Sequence, residues 1–186
     1  MPGEQRFAPV ASTRWRRWTV SSTGESRRKY VVFFSTVAAV CAIDQLIKAF
    51  VVAYQSPGDS FRIFPGVRVT HVRNTGAAFG LFAGSGQVVF WVALGVVALA
   101  LLWFFRSHGT GGSWYYLGIG LIVGGAVGNL LDRVFRGTVV DYVDLGWWPV
   151  FNLADVAIVS GVLSLLLLLV LDFREEGAEG SCEKKV

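Results

Sequence analysis

Three stretches of this chain, Val88–Phe105, Trp114–Leu131 and Val156–Leu171, hold no charged residue and are apolar on every side of a helix. Few folds remain open to such a chain. A helix on the surface of a soluble protein keeps a polar face, whereas one apolar all round is buried in a core or in lipid. A hydrocarbon layer about 30 Å thick is crossed by about 20 helical residues, a length each run reaches with its interfacial flanks. A fourth run, Tyr30–Tyr54, is as long but carries Asp44 and Lys48. Only 16% of the 186 residues are charged, against roughly 25% in soluble domains. The chain reads as a four-span membrane domain over 30–172. A basic, disordered arm (1–29) precedes it and a charged, frayed tail (173–186) follows.

Basic residues near span ends orient such a domain. Arg6, Arg14, Arg16, Arg17, Arg27, Arg28 and Lys29 place the first end in the cytoplasm. Arg106–Ser113 and the tail then share that side, and Gln55–Gly86 and Arg133–Val150 face outward. Tyr30–Tyr54 is followed by no small-x-small cleavage site, so it is expected to be retained as a span. The cluster Arg14–Trp18 suits anionic lipid headgroups. The net charge of +4 reflects this anchoring and does not point to nucleic acid. Cys41 and Cys182 fall in a span and in the tail, so no disulfide framework is expected.

Between the first two spans, Phe61–Arg73 has a partial period of two and a turn at Pro65–Gly66, which predicts a short sheet at the outer surface. Asn74–Gly80, small and flexible, predicts a surface or re-entrant loop. Gly120, Gly124 and Gly128 repeat at four-residue spacing, the pattern that lets helices approach closely in lipid.

Polar residues gather where the runs end. Asn129, Asp132 and Arg133 close the third span, and Asn152 and Asp155 open the fourth. Consecutive spans are antiparallel, so these groups meet at one membrane face. Asp44 and Lys48, four residues apart, form an expected ion pair toward the same side, and Asp141 and Asp144 lie between spans three and four. Ionisable groups at such depth are costly and mark a pathway or a site.

The chemistry open to them is narrow. His71 and His108 fall on opposite sides, so neither a shared metal ion nor a Ser–His pair is expected. A Ser–Lys pair would need Lys48, which Asp44 neutralises. A pair of carboxylates remains: two acids in one site cannot both ionise cheaply, so one keeps a proton while the other activates water. The residues alone leave open which two acids pair. Read singly, Asp132–Arg133 is a structural pair at a helix end, Asp155 an acid favoured by the helix dipole, and Asp141 a loop residue. A proton relay through Asp44, Lys48, Asp132 and Asp155 would need acids spread through the membrane depth, and these concentrate at one end. A non-enzymatic scaffold is the other alternative.

Five blocks in order carry a resemblance: Asp44-Gln45-x-x-Lys48, Asn74-Thr75-Gly76-Ala77-Ala78-Phe79, Gly128-Asn129-x-x-Asp132-Arg133, Val139-Val140-Asp141-Tyr142 and Phe151-Asn152-x-Ala154-Asp155. Over roughly Tyr30 to Leu171 the chain resembles bacterial lipoprotein signal peptidase, the signal peptidase II family. Tyr142 stands where that family more often has Phe. The resemblance implies an all-α integral membrane fold, four transmembrane helices with a small extracytoplasmic β-sheet cradle, in the plasma membrane. It implies an aspartyl endopeptidase with Asp141 and Asp155 as the dyad. Its substrates would be diacylglyceryl-modified prolipoproteins, cut just before the lipidated cysteine. Asn74, Asn129, Arg133 and Asn152 are then expected to hold the dyad and substrate, and Asp44, Lys48 and Asp132 to brace them. No metal, cofactor or nucleic acid is expected, and the chain is expected to act as a monomer among membrane lipids.

Overall fold

The computed structural model describes residues 23–76, 86–106 and 112–183. Within them the order is α1 (Thr23–Tyr54), β1 (Ser60–Phe64), β2 (Val67–Asn74), α2 (Gly86–Arg106), α3 (Ser113–Arg136), β3 (Val139–Asp144) and α4 (Leu153–Glu183). Each helix contains a stretch long and apolar enough to cross a membrane: Arg27–Tyr54, Gln87–Arg106, Ser113–Arg136 and Leu153–Leu171. The four expected spans are present.

Helix α3 is the central element and packs against α1, α2 and α4. Of its apolar window 56% is buried, against 11–17% for the other three. Large side chains on those helices, among them Leu46, Phe50, Trp91, Leu99, Leu163 and Leu167, are exposed. In water that surface would be ruinous, and in lipid it carries no penalty. The interior is an apolar cluster of Phe33, Val97, Phe104, Tyr116, Ile119, Val123, Ala126 and Leu130.

The close approach of α1 to α3 depends on small residues. A Cβ at Gly124 would lie 3.0 Å from Val40 Cβ, 3.1 Å from Val37 Cα and 3.2 Å from the Val37 carbonyl oxygen, so any side chain there would push α1 back by a few tenths of an ångström. Gly120 and Gly128 face Thr36 and the Asp44 carboxylate in the same way, which bears out the four-residue glycine repeat.

The sheet has the order β1-β2-β3 and is antiparallel throughout. Its hairpin turns at Gly66, whose φ of 80° is readily adopted only by glycine. Strand β2 comes from the α1–α2 connection and β3 from the α3–α4 connection, so pairing Asn74 with Val139 and Val72 with Asp141 ties the two halves together. Val140 and Tyr142 pack on Val51 of α1 and on Leu153 of α4, which seats the sheet at one end of the bundle.

Two boundaries differ from the sequence reading. Helix α1 begins at Thr23, inside the segment assigned to a disordered arm. The reason lies at Lys29, whose ammonium rests 4.7 Å from the Phe104 ring centroid and 5.7 Å from that of Tyr116. Cation–π contact packs the basic end of the helix onto the bundle. Helix α4 continues to Glu183, beyond the point at which the tail was expected to fray. Asn74 is the last residue of β2 and not a loop residue. Residues 77–80 of the expected loop, and His108, lie outside the described residues.

Candidate active site

Two short connections place the polar groups. Helix α3 ends at Gly137, whose φ of 74° is left-handed and whose N–H caps the Arg133 carbonyl at 3.2 Å. Strand β3 begins two residues later, so Asp141 stands a short, stiff step from α3. The chain returns through an antiparallel bridge between Val143 and Phe151, and Asn152 then opens α4.

The start of α4 has its first N–H groups fully partnered, where a helix ordinarily leaves them unsatisfied. Leu153 N–H donates to the Tyr142 hydroxyl (3.1 Å), Ala154 N–H to Asp44 Oδ1 (3.1 Å) and Asp155 N–H to Asn152 Oδ1 (2.9 Å). Asn152 is thus a side-chain N-cap. Burial pushes the Tyr142 phenol up to about 12, so at neutral pH it stays a hydroxyl, and it caps Leu153 in a way that Phe cannot. Asp155 sits on a helix end that has little freedom to move.

Asp141 and Asp155 approach each other through shared amides. Asn152 Nδ2 donates to Asp141 Oδ1 at 2.6 Å, while the Asn152 backbone N–H donates to Asp155 Oδ2 at 3.2 Å. Asn129 Nδ2 donates to Asp155 Oδ1 at 2.8 Å, and Asn129 Oδ1 accepts from Asn152 Nδ2 at 3.0 Å. Asn74 Nδ2 reaches Asp141 Oδ2 from β2 at 2.9 Å. One residue, Asn152, therefore touches both carboxyl groups.

Asp141 is 2% exposed. Burial raises its carboxyl from an ordinary 3.8 to about 7; the charge of Asp155 adds to the rise, while the hydrogen bonds from Asn74 and Asn152 and the charge of Lys48 oppose it. An acid that holds its proton near neutrality beside a second acid is equipped for general acid–base work on water and a carbonyl.

Beneath these acids lies a buried ionic cluster. Lys48 Nζ is 2.8 Å from Asp44 Oδ2 and 2.8 Å from Asp132 Oδ2, all three side chains fully buried. The expected Asp44–Lys48 pair is present. Asp132 does not pair with Arg133, its chain neighbour; it binds Lys48 and Arg136. Adjacent helical residues point to different faces, whereas Arg136, four residues on, stacks over Asp132. Arg133 Nη1 instead donates to the Asn129 carbonyl at 3.1 Å. The position between Asp44 and Asp132 that a cation would take is filled by the Lys48 ammonium.

Gln45, quoted only as part of its block, and Arg136 were given no role by the sequence, yet both join the cluster. Gln45 Nε2 donates to the Gly128 carbonyl (3.0 Å) and to Asp132 Oδ1 (3.2 Å), and Arg136 Nη1 to Gln45 Oε1 (2.8 Å). The available signals were the four-residue step from Asp132 and the place of Gln45 beside Asp44. His71, buried on β2, has Nδ1 2.9 Å from the Gln55 carbonyl oxygen, where it ties the sheet to the end of α1.

The family model for signal peptidase (SPase) II matches residues 36–171. The chain belongs to the signal peptidase II family. It is a multi-pass membrane peptidase. It is similar to the lipoprotein signal peptidase of Syntrophomonas wolfei, 44% identical over 77% of this chain and 96% of that one. The corresponding protein of Mycobacterium leprae is 40% identical over 78% of this chain and 75% of its own length. Among solved structures, a bacterial membrane enzyme determined by the in meso method at 2.3 Å superposes with a TM-score of 0.69 at 29% identity, covering 75% of this chain and 88% of that one.

Proposed function

We propose that this chain is an aspartyl endopeptidase that removes the signal peptide from diacylglyceryl-modified prolipoproteins, cutting just before the lipidated cysteine. Asp141 and Asp155 are its dyad. The observation that carries this reading is their joint attachment to Asn152, which holds an acid from β3 and an acid from α4 around one small space. The lipoprotein substrate follows from the family and from the names of the relatives.

In the reaction, water sits between the two carboxyl groups. The ionised acid takes a proton from it, and the protonated one donates a hydrogen bond to the scissile carbonyl. Hydroxide adds to the carbonyl carbon, and the proton taken from water passes to the departing amide nitrogen as the C–N bond breaks. No covalent enzyme intermediate is needed. Asn129 and Asn152 keep the carboxyls in register, Asn74 holds Asp141 from the sheet, and Arg133 lines the approach at the end of α3. The basic residues before α1 support cytoplasmic termini, which sets the dyad at the extracytoplasmic face, where a signal helix enters from lipid. Among the described residues, the proposed dyad and its amide partners all come from one chain, which supports a monomer as the working unit.

Purified protein in detergent is expected to shorten a diacylglyceryl precursor and to leave its unlipidated twin intact. Equal processing of both would remove the lipid requirement.

Raising Asp141 above its ordinary value fixes the sign of the pH effect. Its neutral form is favoured in the folded chain, so that contribution to stability is complete below pH 3.8 and fades as pH rises through about 7. Turnover is expected to fall over the same upper range, as the shared proton is lost. A rate profile flat from about pH 6 to about pH 9 would contradict an Asp141 proton donor.

A further inference from the structure

Each aspartate of the dyad follows a residue whose backbone N–H is held by a buried carboxylate. Val140 N–H, just before Asp141, donates to Asp132 Oδ2 at 3.1 Å. Ala154 N–H, just before Asp155, donates to Asp44 Oδ1 at 3.1 Å. The two carboxylates come from α3 and α1, and the Lys48 ammonium joins them. Its third contact is Asn129 Oδ1 at 2.9 Å. An ammonium has three protons and cannot accept, so all three are used here and the Asn129 amide must present its oxygen. With that oxygen also engaged by Asn152, the Asn129 NH2 group is turned toward Asp155.

We infer that Lys48 is a positioning residue that sets the separation of Asp141 and Asp155. It draws together the carboxylates that hold Val140 and Ala154, and it orients the Asn129 amide that faces Asp155. The inference rests on the assignment of Asp141 and Asp155 as the dyad. Lys48 is fully buried behind the acids and acts through them, without touching the reacting atoms.

Lys48→Met keeps an unbranched side chain one heavy atom shorter and removes the charged Nζ that makes all three contacts. Asp44 and Asp132 then face each other uncompensated, and a broken buried pair is strongly unfavourable. Strand end and helix start drift apart, and misplacement of about 1 Å lowers turnover on the order of 10²-fold. KM for a lipidated precursor stays within about twofold, since no substrate contact is lost. The pH profile moves too. The charged groups that act on Asp141 are Lys48 of α1, Arg133 of α3 and Asp155 of α4; Asp132, paired with Arg136, and Asp44 hold the backbone N–H groups of Val140 and Ala154. Deleting one cation from that set shifts the alkaline limb to higher pH.

The experiment measures kcat, KM and the pH profile of Lys48→Met beside Asp141→Asn, with folding followed by thermal melting in detergent. A fall in kcat at steady KM, with Asp141→Asn inactive, supports the inference. Wild-type kcat and pH profile in a folded Lys48→Met, with Asp141→Asn inactive, overturns it and leaves the dyad standing. An active Asp141→Asn removes the dyad and this inference with it. Where Lys48→Met does not fold, the charge-balanced Lys48→Met/Asp44→Asn protein is read by the same criteria. Failure of both to fold makes Lys48 a support of the bundle only, which also overturns the inference.

Discussion

Asp141→Asn and Asp155→Asn each lower turnover of a lipidated precursor by about 10²- to 10⁴-fold or more, the range lost with a general acid or base. The substitution keeps side-chain size and removes the titrating proton. At Asp141 it also sets an amide against the two donors, Asn74 and Asn152, that now approach the carboxyl at 2.9 and 2.6 Å. One of the new amide's two ends must present its own NH2 to a donor, so the neighbouring amides reorient. At Asp155 the same conflict arises with Asn129 and the Asn152 N–H. Precursor cleavage resolved by gel mobility measures the effect, and an unchanged melting curve shows that the fold persists. Wild-type turnover in either variant would take that residue out of the dyad.

Gly125→Ala destabilises the protein by about 1–3 kcal/mol, as overpacking does, and removes most activity. A methyl group at this position on α3 would lie 2.3 Å from the Ala154 carbonyl oxygen and 2.9 Å from Ile158 Cγ1. The first of these is backbone, and no rotamer change can clear it. Helix α4 must shift at its first turn, which carries Asp155 and is held by Tyr142, Asp44 and Asn152. Gly95→Ala in α2 is the control, since nothing lies within 4 Å of the added carbon; there alanine's better helix propensity stabilises slightly. Melting temperature and turnover distinguish the two variants. A Gly125→Ala enzyme with normal turnover would show that the α3–α4 contact does not govern the site.

Much of the architecture was legible without coordinates. Val88–Phe105, Trp114–Leu131 and Val156–Leu171 admit few states other than membrane helices, because their apolar surface has no other inexpensive place to go. The glycine repeat on the third span announced close helix packing, and the alternation after Phe61 announced strands. The pairings were less accessible. Chain adjacency suggested Asp132 with Arg133, and the structure joins Asp132 to Lys48 and Arg136. The helical dwelling of residues 23–29 was hidden as well, because it depends on Phe104 and Tyr116, rings far along the chain.

What the order of residues determined by itself is local: which segments are apolar enough to span, where they stop, and which polar groups are stranded at their ends. Periodicity and transfer free energy act over a few neighbouring residues, so they can be read in one dimension. Which group meets which was decided only by packing. Lys48 reaches Asn129, and Asn74 reaches Asp141, because α1, the sheet and α4 are seated around a glycine-lined α3. Such contacts depend on interhelical distance and side-chain direction, and neither is encoded at any single position.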